Sequence, residues 1–130
     1  SFSFLSVNAI IAADCLILPL QCEYFALESL GQFFTVFQGL KKKYKAVTKI
    51  GGILFNMFDP HEALSVRIAG EVRKSFNGMV YRSVIPRCRS IKESACHGKS
   101  VILTDISSDG SKGFISLARE IIGSMYCNEE

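Results

Sequence analysis

Three short stretches concentrate the side chains able to do chemistry: residues 21–24, 56–61 and 86–92. Each directly follows an apolar run, and each brings carboxamide, carboxylate, imidazole, ammonium or guanidinium groups to its end. Polar groups gathered beyond apolar segments are what a ligand-binding edge requires. Arg87, Arg89 and Lys92 form a cationic cluster, to which Arg67 and Lys99 add charge. Clustered cations suit phosphate contact, although solvated loop charges account for the same spacing. Nucleophilic or metal chemistry finds less support. His97 has no second His, Cys or carboxylate at ligand spacing and reads as structural; His61, next to Glu62, makes a poor general base. The five cysteines (Cys15, Cys22, Cys88, Cys96 and Cys127) are odd in number and contain no C-x-x-C, so reduced thiols fit better than a disulfide framework or a zinc site. No catalytic residue and no metal ligand set is assigned. No G-x-x-x-x-G-K-[ST] phosphate loop occurs: Gly51-Gly52 falls inside a strand, and Gly98-Lys99 lacks the other glycine.

The elements that must position these groups alternate. Residues 3–13 read as a short apolar helix and 15–20 as a buried strand. Residues 24–43 read as a long helix, with Leu27, Leu30, Phe33, Phe34, Phe37 and Leu40 as its core stripe. Lys41, Lys42, Lys43 and Lys45 follow at its C-terminal end, where cations suit the helix dipole. Residues 49–58 predict a central strand stopped by Asp59-Pro60. A helix over 62–76 follows, with Leu64, Ile68, Val72 and Phe76 at four-residue spacing, then a strand over 79–85 stopped by Pro86. Residues 87–100 predict a polar, basic loop, 101–104 (VILT) a short last strand, and 111–126 a final helix with Phe114, Ala118, Ile121 and Met125 inward. The fold class is therefore α/β, a mostly parallel sheet with helices on both faces, its ligand edge at the strands' carboxyl ends. The length and the pattern over residues 1–130 predict one domain, or part of one, without repeat or linker.

Composition agrees. Hydrophobic residues make up 48% of the 130, too many for a disordered chain. The net charge of +3 hides an uneven distribution: residues 41–100 carry thirteen basic and four acidic side chains, and both flanks are net acidic. A basic middle could face a polyanion. No apolar run approaches the length of a spanning helix.

The stretches VNAIIAADCLILPLQCEYFALESL (7–30), GGILFNMFDP (51–60), VIPR (84–87) and ESACHGKSVILTD (93–105) resemble the C-terminal half of the ParA/Soj partitioning ATPases, whose fold is of the deviant Walker P-loop type. Ser1 matches the Ser closing the family's Asp-x-Pro-Pro-Ser stretch, which would leave the phosphate loop and magnesium-binding aspartates outside this sequence. The resemblance implies ATP and magnesium as cofactors of the intact family protein, ATP-dependent homodimerisation, nonspecific DNA binding on the nucleoid in the cytoplasm, and hydrolysis stimulated by a ParB-type partner. It implies an adenine-side wall from Asn56, Pro86, Arg87 and Cys88. Cys88 departs from the family's Asn. It implies a DNA face from Arg67, Arg87, Arg89, Lys92 and Lys99, although His61 and Ser90 stand where two family arginines are expected. Glu23, Tyr24 and Glu28 fit either a nucleotide-sensing or dimer face or a simple capped helix start. Membrane targeting is not expected, because the tail ends in Glu129-Glu130 without a basic cluster. The alternative is a non-catalytic relative acting as a self-association or DNA-contacting module.

Overall fold

A computed structural model describes residues 3–126, without the side chains of residues 125 and 126. Ser1, Cys127, Glu129 and Glu130 lie outside the described residues, as does the inward placement expected for the Met125 side chain. The elements run α1 (Phe4–Ala12), β1 (Cys15–Leu20), α2 (Ala26–Tyr44), β2 (Lys49–Phe58), α3 (Ala63–Ser75), β3 (Val80–Pro86), α4 (Arg89–Cys96), α5 (Val101–Thr104) and α6 (Asp109–Tyr126).

The strands form a parallel sheet in the order β1-β2-β3, with Leu20 opposite Phe55 and Phe58 opposite Pro86. Each crossover helix runs back against the strands, so the three carboxyl ends lie together. Alternation along β2 divides the core between the faces. Ile53 and Phe55 pack with Leu30 of α2 and with Ile68, Ala69 and Val72 of α3, while Leu54 packs with Tyr81, Ile85 and Leu117 of α6. Helices thus cover both faces. The aromatic stripe of α2 is core: Phe34 stacks on Phe76 at 5.3 Å, and Phe33 on Phe37 at 5.8 Å. Lys45 ends α2 in the left-handed conformation (φ 53°), which costs a non-glycine residue about 1–2 kcal/mol.

Four expectations are corrected. Residues 101–104 form a helical turn and not a strand, so the described sheet has three strands. The Ser100 hydroxyl accepts the Ile102 N–H, and the Ser111 hydroxyl donates to the Val101 carbonyl at 3.0 Å; these bonds hold the backbone in a turn. Most of the polar stretch after Pro86 is helical, as α4. On α6, Ile121 packs inward as expected, but the expected Phe114 and Ala118 positions are rotated by one residue. Gly113, Leu117 and Ile121 face the sheet, Ala118 is exposed and Phe114 is 37% exposed. Gly113 sets this rotation, since a Cβ there would sit 2.8 Å from the Val84 carbonyl oxygen. On α3, Ser65 and Ala69 are buried while Leu64 is partly exposed.

The two sheet edges differ. Between Ile53–Val80 and Phe55–Val84 the register slips, leaving a bulge in β3. Glu120 of α6 fills it, its carboxylate accepting the N–H groups of Arg82 at 2.7 Å and Ser83 at 2.9 Å. Partial burial raises the Glu120 pKa, but these bonds and the nearby Arg82 charge outweigh it and hold the carboxyl below the ordinary glutamate value. On the other edge, the Asp14 carbonyl accepts the Lys49 N–H. By alternation, Cys15, Ile17 and Pro19 turn their backbone groups outward, where no described strand pairs with them. Pro19 brings no donor to that edge.

Two outcomes follow. Glu120→Ala leaves two strand amides unpaired and should lower stability by about 1–3 kcal/mol in a denaturant titration. Because folding depresses this pKa, the Glu120 contribution is present above the ordinary glutamate value and lost as pH falls through the folded one. Light scattering of the polypeptide alone should show self-association that Ile17→Lys on the open edge reduces; a stable monomer at high concentration would contradict this.

Candidate functional site

The three chemistry-bearing stretches meet beyond the strands' carboxyl ends, around two adjoining cavities that share Met57 and Arg87. The first, about 400 Å³, is polar: Gln21 and Glu23 after β1, Asp59, His61 and Glu62 after β2, and Ser65 of α3 line it with Arg87. The second, about 260 Å³, is mostly apolar. Ile85, Pro86, Ile91 and Phe114 form its walls, with Asn56, Cys88 and Lys92 at its polar positions. Its volume falls just below the roughly 300–1,000 Å³ of whole small-molecule sites, and its lining suits a flat apolar group with polar edges.

Local backbone chemistry shapes this slot. Met57 adopts a left-handed conformation (φ 53°), and its N–H donates to the Asn56 side-chain oxygen at 3.0 Å. This bond orients the carboxamide, and its NH₂ is a donor available to a ligand. Gln21 reaches the Met57 sulfur at 2.9 Å and ties the β1 loop to the β2 end. The Arg87 N–H donates to the Phe58 carbonyl at 3.0 Å, fixing the start of the third loop. Cys88 is the N-cap residue of α4. Desolvation raises its pKa, but N–H groups of Gly110, Ser90 and Ile91 and the Ser90 hydroxyl bring the thiol below its ordinary value.

The predicted adenine-side residues Asn56, Pro86, Arg87 and Cys88 all line this one slot. Of the predicted DNA-facing residues, Arg87 and Lys92 rim it and Arg89 opens α4. Arg89 pairs with Glu93 at 2.6 Å, an exposed contact worth at most about 1 kcal/mol. Ser90 donates to Asp105 at 3.0 Å, so carboxylates share this surface with the cations. Arg67 is exposed on α3 and lines neither cavity; Lys99 is exposed beyond Gly98. His97 is exposed and forms the C-cap of α4, in a groove with Ser90, Glu93 and Asp105. At the start of α2, Tyr24 and Phe25 are 75% and 64% exposed and pack edge to face; no side chain caps the helix.

Sequence reasoning missed Phe114, Ile91 and Met57 as lining residues. By spacing Phe114 reads as part of the core stripe, and the signal that frees it is the close packing of Gly113. Among the described residues no group of three His, Cys, Asp or Glu side chains is placed to hold a metal ion. No helix among them is long and apolar enough to cross a membrane.

A family profile described as an AAA domain matches residues 1–50. The chromosome partitioning protein ParA of Caulobacter vibrioides is 39% identical over 122 residues, covering 94% of this chain and 46% of that protein. The sporulation initiation inhibitor protein Soj of Bacillus subtilis is 37% identical, covering 93% of this chain and 48% of that protein. The chain thus spans about half the length of these relatives. The septum site-determining protein MinD of Pyrococcus horikoshii, solved in complex with Mg-ADP, superposes with a TM-score of 0.73 at 21% identity, covering 93% of this chain and 46% of that one; this likeness shows a shared fold. By sequence similarity along nearly its whole length, the chain is a homologue of the ParA and Soj chromosome-partitioning proteins.

Proposed function

We propose that the chain is the C-terminal half of a ParA-type partitioning ATPase and supplies the base-binding wall of its nucleotide site. The observation that carries this reading is the convergence of Asn56, Pro86, Arg87 and Cys88, with Ile91 and Phe114, on one base-sized slot beside the ends of β2 and β3. Pro86, Ile91 and Phe114 offer apolar surface to a planar purine, and the Asn56 NH₂ donates to a ring nitrogen. Cys88 replaces a carboxamide with a thiol, so Asn56 carries more of the base recognition.

In the whole protein, bound ATP with magnesium supplies the transferable phosphoryl group and the charge that closes the dimer. This chain's residues orient the base; they provide no phosphate loop and no described metal ligand set. The polypeptide alone is therefore not expected to hydrolyse ATP. Arg87, Arg89 and Lys92, with Arg67 and Lys99, would contact DNA phosphates in the dimer, and a ParB-type partner would trigger turnover and release on the nucleoid. A non-catalytic self-association module remains the second reading, favoured by the open edge of β1.

Cys88 is a built-in reporter. Its iodoacetamide alkylation, followed by mass spectrometry, should persist to lower pH than that of N-acetylcysteine, because a depressed pKa keeps the thiolate present. Millimolar adenosine should slow labelling at Cys88 and leave Cys96 unchanged, and Asn56→Ala should weaken that protection. Adenosine protecting neither thiol, or both equally, would contradict the base site. A magnesium-dependent ATPase activity of the purified polypeptide, abolished by EDTA, would contradict the absence of catalysis.

A further inference from the structure

The densest charge on the molecule lies away from the candidate site. Lys41, Lys42, Lys43 and Lys45 close α2, and Lys49 opens β2 four residues later. Because α2 runs against the strands, all five gather at the amino end of the sheet, the end opposite the two cavities. The ten residues of β2 separate the two ends by about 30 Å.

Four features set this cluster apart. No acidic residue occurs between Glu28 and Asp59, a segment that contains all five lysines. Among the described residues, none of the five forms a salt bridge, whereas Arg89 and Lys112 do. Lys41 and Lys43 lie over the rings of Phe37 and Tyr44, at 5.7 and 5.2 Å, which leaves their charge uncancelled by carboxylates. Finally, Lys45 occupies a left-handed backbone position (φ 53°) that glycine would fill without strain. Helix-dipole complementarity explains a cation in the last turn but not a lysine at this strained position beyond it.

We infer that these five lysines form a second polyanion-binding face, fitted to the phosphate backbone of a nucleic acid and independent of the α4 cations. Lysine is a mobile point charge, suited to phosphate contact without base reading. An acidic membrane is the less favoured partner, because an interfacial anchor needs a broad apolar stripe beside its cations. Here Tyr44 and Val47 are the exposed large apolar residues of that segment, and the Tyr44 ring already faces Lys43. A duplex bound here would leave the cavity end free, so one chain could hold phosphates at both ends.

The test uses the full 130-residue chain and a fluorescent random-sequence DNA duplex, with affinity followed against salt. Lys42→Gln/Lys43→Gln/Lys45→Gln/Lys49→Gln should weaken low-salt binding by about tenfold or more, and should reduce the log–log salt slope by about 0.9 for each lost phosphate contact. The same fold-loss should appear in an Arg87→Ala/Arg89→Ala/Lys92→Ala background, which separates this face from the α4 patch. Lys45→Gly should raise the melting temperature while weakening DNA retention, a pairing that general misfolding cannot produce. Binding of the quadruple variant within about twofold of the parent would overturn the inference. So would lysine-dependent retention on phosphatidylglycerol vesicles without lysine-dependent DNA binding.

Discussion

The parallel pairing of β1, β2 and β3 is the constraint on which the remaining structure depends. Parallel strands need crossovers, and α2 and α3 supply them on one face of the sheet. The carboxyl ends of neighbouring strands then lie side by side, and the loops that leave them must share space. Gln21, Met57 and Arg87 meet for that reason, although 36 and 30 residues separate them in the chain. The same geometry sends the lysines of α2 to the opposite end. Both charged surfaces are consequences of one topology.

Small residues allow the helices to meet the sheet. Gly113 lets α6 approach the Val84 carbonyl, and Gly52 lets the Tyr81 ring lie against β2, where a Cβ would sit 2.7 Å from a ring carbon. The bulge in β3 exposes two amides, and Glu120 returns from α6 to satisfy them. Core packing, helix placement and edge protection are thereby coupled on the α6 side. The β1 side has no equivalent closure among the described residues, and Ile17 is 39% exposed there. The chain spans about half the length of its relatives.

Much of this was legible in the sequence. CLILPL and the stretch IGGILF within β2 are apolar without interruption, the pattern of a sheet buried on both sides, and Pro86 marks the end of β3. The α2 stripe at three- and four-residue spacing placed Leu30 and Phe37 inward, where both are buried. The failures share a cause: local apolarity does not reveal which side of a residue is filled. VILT satisfies a strand pattern, but Ser100 and Ser111 decide its conformation through hydrogen bonds that become visible only in the fold. On α6, the large residues suggested one face, and a glycine contacting the β3 backbone selected its neighbour. The slot residues Asn56, Pro86, Arg87 and Cys88 came from family resemblance together with their position after strands; periodicity says nothing of them. Phe114 belongs to the same slot and was hidden by its hydrophobicity.

The central claim is that the apolar slot beside the ends of β2 and β3 receives a purine base. Intermolecular nuclear Overhauser effects between adenosine and the isotope-labelled chain measure this most directly. The account predicts cross-peaks from the adenine ring protons to the Phe114 ring and the Ile91 methyl groups. Cross-peaks instead to Tyr24 and Phe25, with none to Phe114, would contradict it.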